Sequence, residues 1–168
     1  MSTGINYKDA KSIHYFTVTD LEGEPISLRK YEGHICIIVN VASQCGMARK
    51  NFEELNELHQ EYAETKGLKI LAFPCNQFMD TEPGDSCSMK QYIKLKNLKF
   101  DIFEKIDVNG SRGSPLWKYL KRKKRGSFGS FIKWNFTKFI VDADGQPVER
   151  FGPCTSPKEM VKSLEKYW

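Results

Sequence analysis

Nothing in this chain approaches the roughly 18 to 20 consecutive apolar residues that span a bilayer as a helix. Its opening stretch, Met1-Ser-Thr-Gly-Ile-Asn-Tyr-Lys-Asp9, also lacks the apolar run of a signal peptide. Neither a membrane-spanning helix nor an export signal is therefore expected. Closely paired cysteines are missing too: the five, at 36, 45, 75, 87 and 154, make an odd count with no C-x-x-C spacing. That argues against a disulfide scaffold and for a reducing, cytoplasmic setting. The three histidines, at 14, 34 and 59, are scattered, with no zinc-ligand spacing to the cysteines, so no metal is expected. Acid is absent between Ser111 and Phe131, where Arg112, Lys118, Lys121, Arg122, Lys123, Lys124 and Arg125 supply seven positive charges. Taking those seven from 26 basic residues leaves 19 against 21 acidic ones, so the net charge of +5 belongs to one patch. Linkers, repeats and low-complexity tracts are lacking as well. With 40% hydrophobic and 28% charged residues, a chain of 168 fits one domain, 1–168, with a proper core.

What is present centres on Cys45. The stretch His34-Ile-Cys-Ile-Ile-Val-Asn-Val-Ala42 is β-branched and nearly continuous in apolar character, the pattern of a strand buried on both faces. After Ser43-Gln44-Cys45-Gly46 the period changes, and Phe52, Leu55, Leu58, His59 and Tyr62 recur at helical spacing. A thiol at such a junction sits at a helix N-terminus, where free N–H groups and the macrodipole favour an anion. The thiolate is the reactive form, so the position suits a nucleophile. The plain alternative is a small buried hydrophobe.

Two further segments bear on that choice. Leu68-Lys-Ile-Leu-Ala-Phe73 reads as a strand stopping at Pro74 and running into a polar loop with Asn76 and Gln77. Ile132 to Asp142 reads as a strand opening with Trp134-Asn135. Neighbouring strand ends of a parallel sheet gather in one crevice. There the amides of Gln77 and Asn135 and the indole N–H of Trp134 would offer neutral donors to a sulfur anion.

Elsewhere the pattern predicts a strand over Ser12–Asp20, forming an N-terminal hairpin with Ile26–Leu28. It predicts a helix after Cys45 that ends near Lys66-Gly67, and the next strand, Leu68 to Phe73, completes a right-handed βαβ unit. Helices are expected over Ser88–Leu95 and from Pro115 to Lys121, the latter with proline near its first position. Phe136–Val141 and Val148–Phe151 form a hairpin across Asp142-Ala-Asp-Gly145, and Pro157–Trp168 is a last helix.

The segments Asn40-Val-Ala-Ser-Gln-Cys-Gly46, Leu71-Ala-Phe-Pro-Cys-Asn-Gln-Phe78 and Lys133-Trp-Asn-Phe-Thr-Lys-Phe139 resemble, in order, those of the glutathione peroxidase family, the short phospholipid-hydroperoxide type. Weaker matches follow at Phe100–Ile106, Val108-Asn-Gly110, Pro115-Leu-Trp117 and Arg150-Phe-Gly-Pro153. The resemblance implies an α/β, thioredoxin-like fold: a central mixed β-sheet flanked by helices, preceded by a β-hairpin. It implies a thiol peroxidase reducing lipid and organic hydroperoxides and hydrogen peroxide, with no cofactor and glutathione as co-substrate. Cys45 matches the peroxidatic position, held by selenocysteine in the short selenium enzymes, and Gln77, Trp134 and Asn135 match the family's donors. Lys133 and Arg150 match basic positions that guide an anionic thiol. Many cysteine members instead use a resolving cysteine with thioredoxin. Here Cys87 lies in that region but nearer Pro83, and the family's position falls near Lys94.

The basic run Lys121–Arg125 has rival meanings: a nucleic-acid or nuclear-localisation patch, or a solvated helix end. The resemblance favours a third, a surface on which Lys124 and Arg125 meet lipid headgroups while Phe128 and Phe131 dip into the interface, so nucleic acid is not an expected partner. Residues 108–134 lack the insertion through which longer relatives associate, so a monomer is expected. The competing class is an idle thioredoxin-like binding module for membrane or nucleic acid.

Overall fold

The computed structural model describes residues 4–168. At its centre the six residues of β3 (Cys36–Val41) are all buried, as an uninterrupted β-branched run requires. They pair in parallel with β4 (Lys69–Pro74), Cys36 opposite Lys69 through Val41 opposite Pro74. On the other side β3 runs antiparallel to β6 (Lys138–Val141). With β5 (Asp101–Ile102) beyond β4 and β7 (Pro147–Phe151) beyond β6, the sheet is five-stranded and mixed, ordered β5-β4-β3-β6-β7. A hairpin of β1 (Thr17–Thr19) and β2 (Pro25–Ser27) stands apart at the N-terminal side.

Strand alternation sends neighbouring side chains to opposite faces. Ile38, Leu71, Phe73 and Phe139 join a core with Tyr31, Trp117 and Leu120. Ile37, Val39, Ile70 and Ile140 join the other, closed by α1 (Ala48–Tyr62). Helix α1 buries Ala48, Asn51, Phe52, Leu55 and Leu58, one stripe at three- and four-residue spacing. The remaining helices are α2 (Ser86–Lys96), α3 (Pro115–Lys123) and the short α4 (Val161–Leu164).

Four expectations need correction. The strand over Ser12–Asp20 shrinks to Thr17–Thr19, because Ser12 Oγ accepts the His14 N–H at 3.2 Å and caps a 3-10 turn, Ile13–Tyr15. Helix α1 ends at Tyr62, not near Lys66; Lys66 and Leu68 N–H both return to the Tyr62 carbonyl, and Gly67 takes φ +69°. The last helix divides into a 3-10 turn, Pro157–Met160, and α4. The strand after Ile132 begins only at Lys138, for a reason that belongs to the site.

Candidate active site

Cys45 lies three residues ahead of α1, half-buried. Its carbonyl accepts the Ala48 N–H at 2.9 Å, closing a turn that leads into the helix. Its sulfur accepts the Met47 N–H at 3.5 Å. That N–H is one of the donors a helix start leaves unpaired, aimed at the thiol as the strand-to-helix reading requires.

The loop after β4 holds this turn in place. Gln44 N–H donates to the Thr81 carbonyl at 3.0 Å. Ser43 gives both its N–H and its hydroxyl to the carboxylate of buried Glu82, at 2.7 and 2.8 Å. Glu82 is positioned by its own backbone: its N–H donates to Asn76 Oδ1 at 2.9 Å, and its carbonyl accepts from Lys105 Nζ at 3.0 Å. Hydrogen bonds to a charged acceptor are about twice as strong as neutral ones, so this is a firm staple. Within the loop Met79 and Asp80 take φ of +57° and +53°, a region side chains usually avoid. Met79 stands 80% exposed there.

Asn40, buried at the end of β3, arranges the opposite wall. Its carbonyl accepts the Phe136 N–H at 2.7 Å, its Oδ1 the Thr137 N–H at 3.0 Å, and its Nδ2 donates to the Trp134 carbonyl at 3.1 Å. Those bonds satisfy residues 134–137 away from a ladder, with Phe136 at φ +63°. Trp134 and Asn135 therefore sit on a curl, not on a strand, and Asn135 reaches the Cys45 turn through Thr81.

The three expected donors are placed as follows. Asn135 is fully buried; its Nδ2 donates to Thr81 Oγ1 at 2.9 Å, and its Oδ1 has no partner. Trp134 is half-buried, its ring 5.8 Å from that of Phe78. Gln77 is exposed and its amide is engaged with another loop: Nε2 donates to the Asn109 carbonyl at 2.9 Å, and Oε1 accepts the Val108 and Asn109 N–H groups at 2.8 and 3.0 Å. Thr81 thus joins the Cys45 turn to Asn135, whereas Gln77 ties the site to the 108–109 turn. Among the described residues, the hydrogen bond reaching the Cys45 sulfur comes from Met47 and from none of the three. Thr81, Glu82 and Asn40 escaped sequence reasoning. The signal available was a glutamate just ahead of Pro83-Gly84 in a polar loop, and it reads only as a turn.

The other thiols divide by burial. Burial pushes Cys36 up to about 12 and raises Cys75, whose S–H points at Gln77 Oε1. Both are held as inert thiols. Cys87 and Cys154 are exposed. Cys87 lies in the first turn of α2, which Asp85 caps by accepting the Ser88 N–H at 2.9 Å.

A family model described as glutathione peroxidase matches residues 13–121, a span that includes Cys45 and Gln77. The chain is 50% identical over 157 residues to a probable phospholipid hydroperoxide glutathione peroxidase of Mesembryanthemum crystallinum, covering 93% of this chain and 92% of that one. The chain belongs to the glutathione peroxidase family. It is a peroxidase, an enzyme that reduces hydroperoxides. Its backbone matches a crystal structure of T. cruzi GPX1 with a TM-score of 0.76, at 39% identity over 94% of this chain and 96% of that one. A thioredoxin-family thiol:disulfide interchange protein from Chlorobium tepidum TLS, 16% identical with a TM-score of 0.67 over 95% of this chain and 98% of that one, shares the thioredoxin-like fold.

In this family member the basic positions separate into two roles. Arg150 spends three N–H groups on the carbonyls of Lys124, Ser130 and Phe131, at 3.1, 2.8 and 2.8 Å, and lies against the Phe139 ring. It pins the 124–131 loop, and its burial lowers its pKa. Lys133 is exposed, its Nζ 4.6 Å from the centre of the Phe128 ring and 5.8 Å from that of Phe131. Lys133, Arg125 and Arg150 share a cleft of about 170 Å³. Lys121–Lys123 fall in the last turn of α3, where cations suit the helix dipole, while Lys124 and Arg125 lie beyond the helix. A cavity of about 490 Å³ opens among Tyr7, Lys118, Lys121, Arg122 and Arg125. Among the described residues no group of three or more His, Cys, Asp and Glu side chains is arranged to hold a metal ion.

Proposed function

We propose that the Cys45 thiolate is the peroxidatic nucleophile. It attacks the terminal oxygen of ROOH; an S–O bond forms as the O–O bond breaks, the alkoxide takes up the proton released when the thiol ionised and leaves as ROH, and the sulfur becomes a sulfenic acid. A first thiol, RʹSH, condenses with the sulfenic acid, forming a mixed disulfide and releasing water. A second thiolate attacks that disulfide, returning Cys45 and giving RʹSSRʹ. One hydroperoxide and two thiols yield one alcohol, one water and one disulfide. The observation that carries this reading is the Met47 N–H directed at a half-exposed sulfur, in a chain whose two buried thiols are held protonated.

Glutathione is the reductant in this proposal. Cys87 sits in a capped first turn of α2, and the family's resolving position falls near Lys94, which carries no thiol. Stopped-flow detection of sulfenic acid should lose its fast phase in Cys45→Ser; a variant keeping the wild-type rate would remove Cys45 from the role. Intact mass after one equivalent each of peroxide and glutathione should show a glutathione adduct on Cys45. A Cys45–Cys87 disulfide forming quantitatively before any adduct would assign reduction to thioredoxin instead.

The substrate class proposed is lipid hydroperoxide at a membrane surface. Phe128 is 84% exposed and Phe131 53%, Lys133 lies against both rings, and Arg125 lines a cleft with Lys133. Aromatic side chains among cations suit the boundary between headgroup and acyl chain. The name of the Mesembryanthemum crystallinum relative, a probable phospholipid hydroperoxide glutathione peroxidase, supports the same choice. The enzyme works as a monomer in the cytoplasm in this reading.

A further inference from the structure

We propose that Thr81 is a positioning residue, which decides which end of the Asn135 side-chain amide is held toward the Cys45 turn. The proposal rests on the reading of Cys45 as nucleophile. It starts from the single proton of a hydroxyl. Thr81 Oγ1 lies 2.7 Å from the Phe78 carbonyl, and a carbonyl only accepts, so the proton is committed there. The hydroxyl oxygen then has only lone pairs left. Asn135, 2.9 Å away, has to present its NH2 group and not its oxygen.

The amide is otherwise free to turn over. Asn135 Oδ1 is buried with no hydrogen-bond partner, so nothing on the oxygen side selects an orientation. Rotating the amide by half a turn would bring an acceptor oxygen to where the NH2 stands, and an acceptor repels a thiolate and the charge that develops during oxygen transfer. A primary amide has two N–H bonds. Thr81 takes one, and the second remains on the same nitrogen, available to a sulfur anion or to peroxide oxygen.

Thr81 is also placed to register that amide against the nucleophile. Its carbonyl accepts the N–H of Gln44, the residue before Cys45, at 3.0 Å. Its neighbour Glu82 clamps Ser43. The same residue therefore contacts the Cys45 turn through its backbone and Asn135 through its side chain. Either link alone would be an ordinary loop contact; together they set the amide in register with the thiol.

The test compares Thr81→Val, which keeps the shape and removes the hydroxyl, with Thr81→Ser, which restores it. The readout is the second-order rate of sulfenic acid formation on Cys45 with hydrogen peroxide. Thr81→Val should slow that step about tenfold, the value of one hydrogen bond to a charged group. Thr81→Ser should return it to within about twofold of wild type on the same basis. The deciding measurement is the double variant: if Thr81 acts through Asn135, Thr81→Val added to Asn135→Ala should slow the reaction no further. A wild-type rate in Thr81→Val overturns the proposal. So does a full additional loss in the double variant, because the hydroxyl would then be acting without Asn135. Should Thr81→Val fail to fold, Thr81→Ala removes the same hydroxyl without burying a methyl in its place and carries the same expectations. Cys45→Ser is measured alongside. Retained peroxide reduction there overturns the nucleophile assignment itself, whereas its loss with an unaffected Thr81→Val overturns only the role of Thr81.

Discussion

Lys138 gives the most quantitative test of how this fold is held together. It lies on β6 with no exposed surface, and its Nζ donates to the Thr155 carbonyl at 2.8 Å. Burial pushes its ammonium down from 10.5 to about 8, against the opposing attraction of Glu54, Cys154 and Glu159. Taken as a difference between folded and unfolded chains, that drop corresponds to about 3 kcal/mol. Below about pH 8 the side chain is protonated in both states, and the fold carries the whole cost of the buried charge. Between about pH 8 and 10.5 the folded chain releases the proton while the unfolded chain keeps it. The unfolded state then binds more protons, so stability due to this residue rises with pH across that window. Above it both forms are neutral and the cost is gone.

Lys138→Met removes the titrating group and keeps an unbranched chain of similar length. Its advantage over wild type should be greatest near neutral pH, offset there by the lost bond to Thr155. That advantage should shrink by up to about 3 kcal/mol as pH rises from 7 toward 10.5. Urea unfolding of both proteins across that range, with thiols kept reduced, measures the difference directly; titrations common to both cancel. A difference that stays constant with pH would refute the reasoning, because it would mean that Lys138 ionises as freely inside the fold as outside it.

Glu82→Ala removes both bonds to Ser43, and at ~1.5 to 3 kcal/mol for each bond to a charged group it should destabilise the chain by about 3 to 6 kcal/mol and slow Cys45 oxidation; Glu82→Gln should lose about half of that, and unchanged urea midpoints would sink the staple. Phe128→Ser with Phe131→Ser should weaken binding to anionic phospholipid vesicles at least tenfold while leaving hydrogen peroxide reduction in solution unchanged, by loss of two exposed rings that the lipid would cover. Equal vesicle binding by the double variant would refute the proposed membrane role of these two rings. Light scattering of the dilute, reduced protein should return a mass near 19.4 kDa, and a value near twice that would contradict the monomer.

The βαβ centre was legible because its signals are local. An uninterrupted β-branched run is stable only where both faces are covered, and the change to helical period after Cys45 marks the turn where a thiol meets free N–H groups. The hairpins were legible for the same reason, through turn residues flanked by alternating ones. Asp101–Ile102 was missed as a strand because two residues show no period. The start of β6 was misplaced because Trp134-Asn-Phe-Thr137 has the composition of a strand, and what curls it is Asn40, 97 positions away from the Thr137 N–H it accepts.

The site divides along the same line. Residue type and neighbours a few positions away were enough to place one thiol at a strand-to-helix junction and to name the side chains that carry donors. Where those donors point depends on contacts between distant segments. Gln77 turns to the 108–109 backbone, Arg150 to three carbonyls of the 124–131 loop, and Asn135 to a threonine 54 positions earlier. The physical reason is that a hydrogen bond is specific to direction and partner, and each of these partners arrives from a distant part of the chain once the cores on the two faces of the sheet have closed.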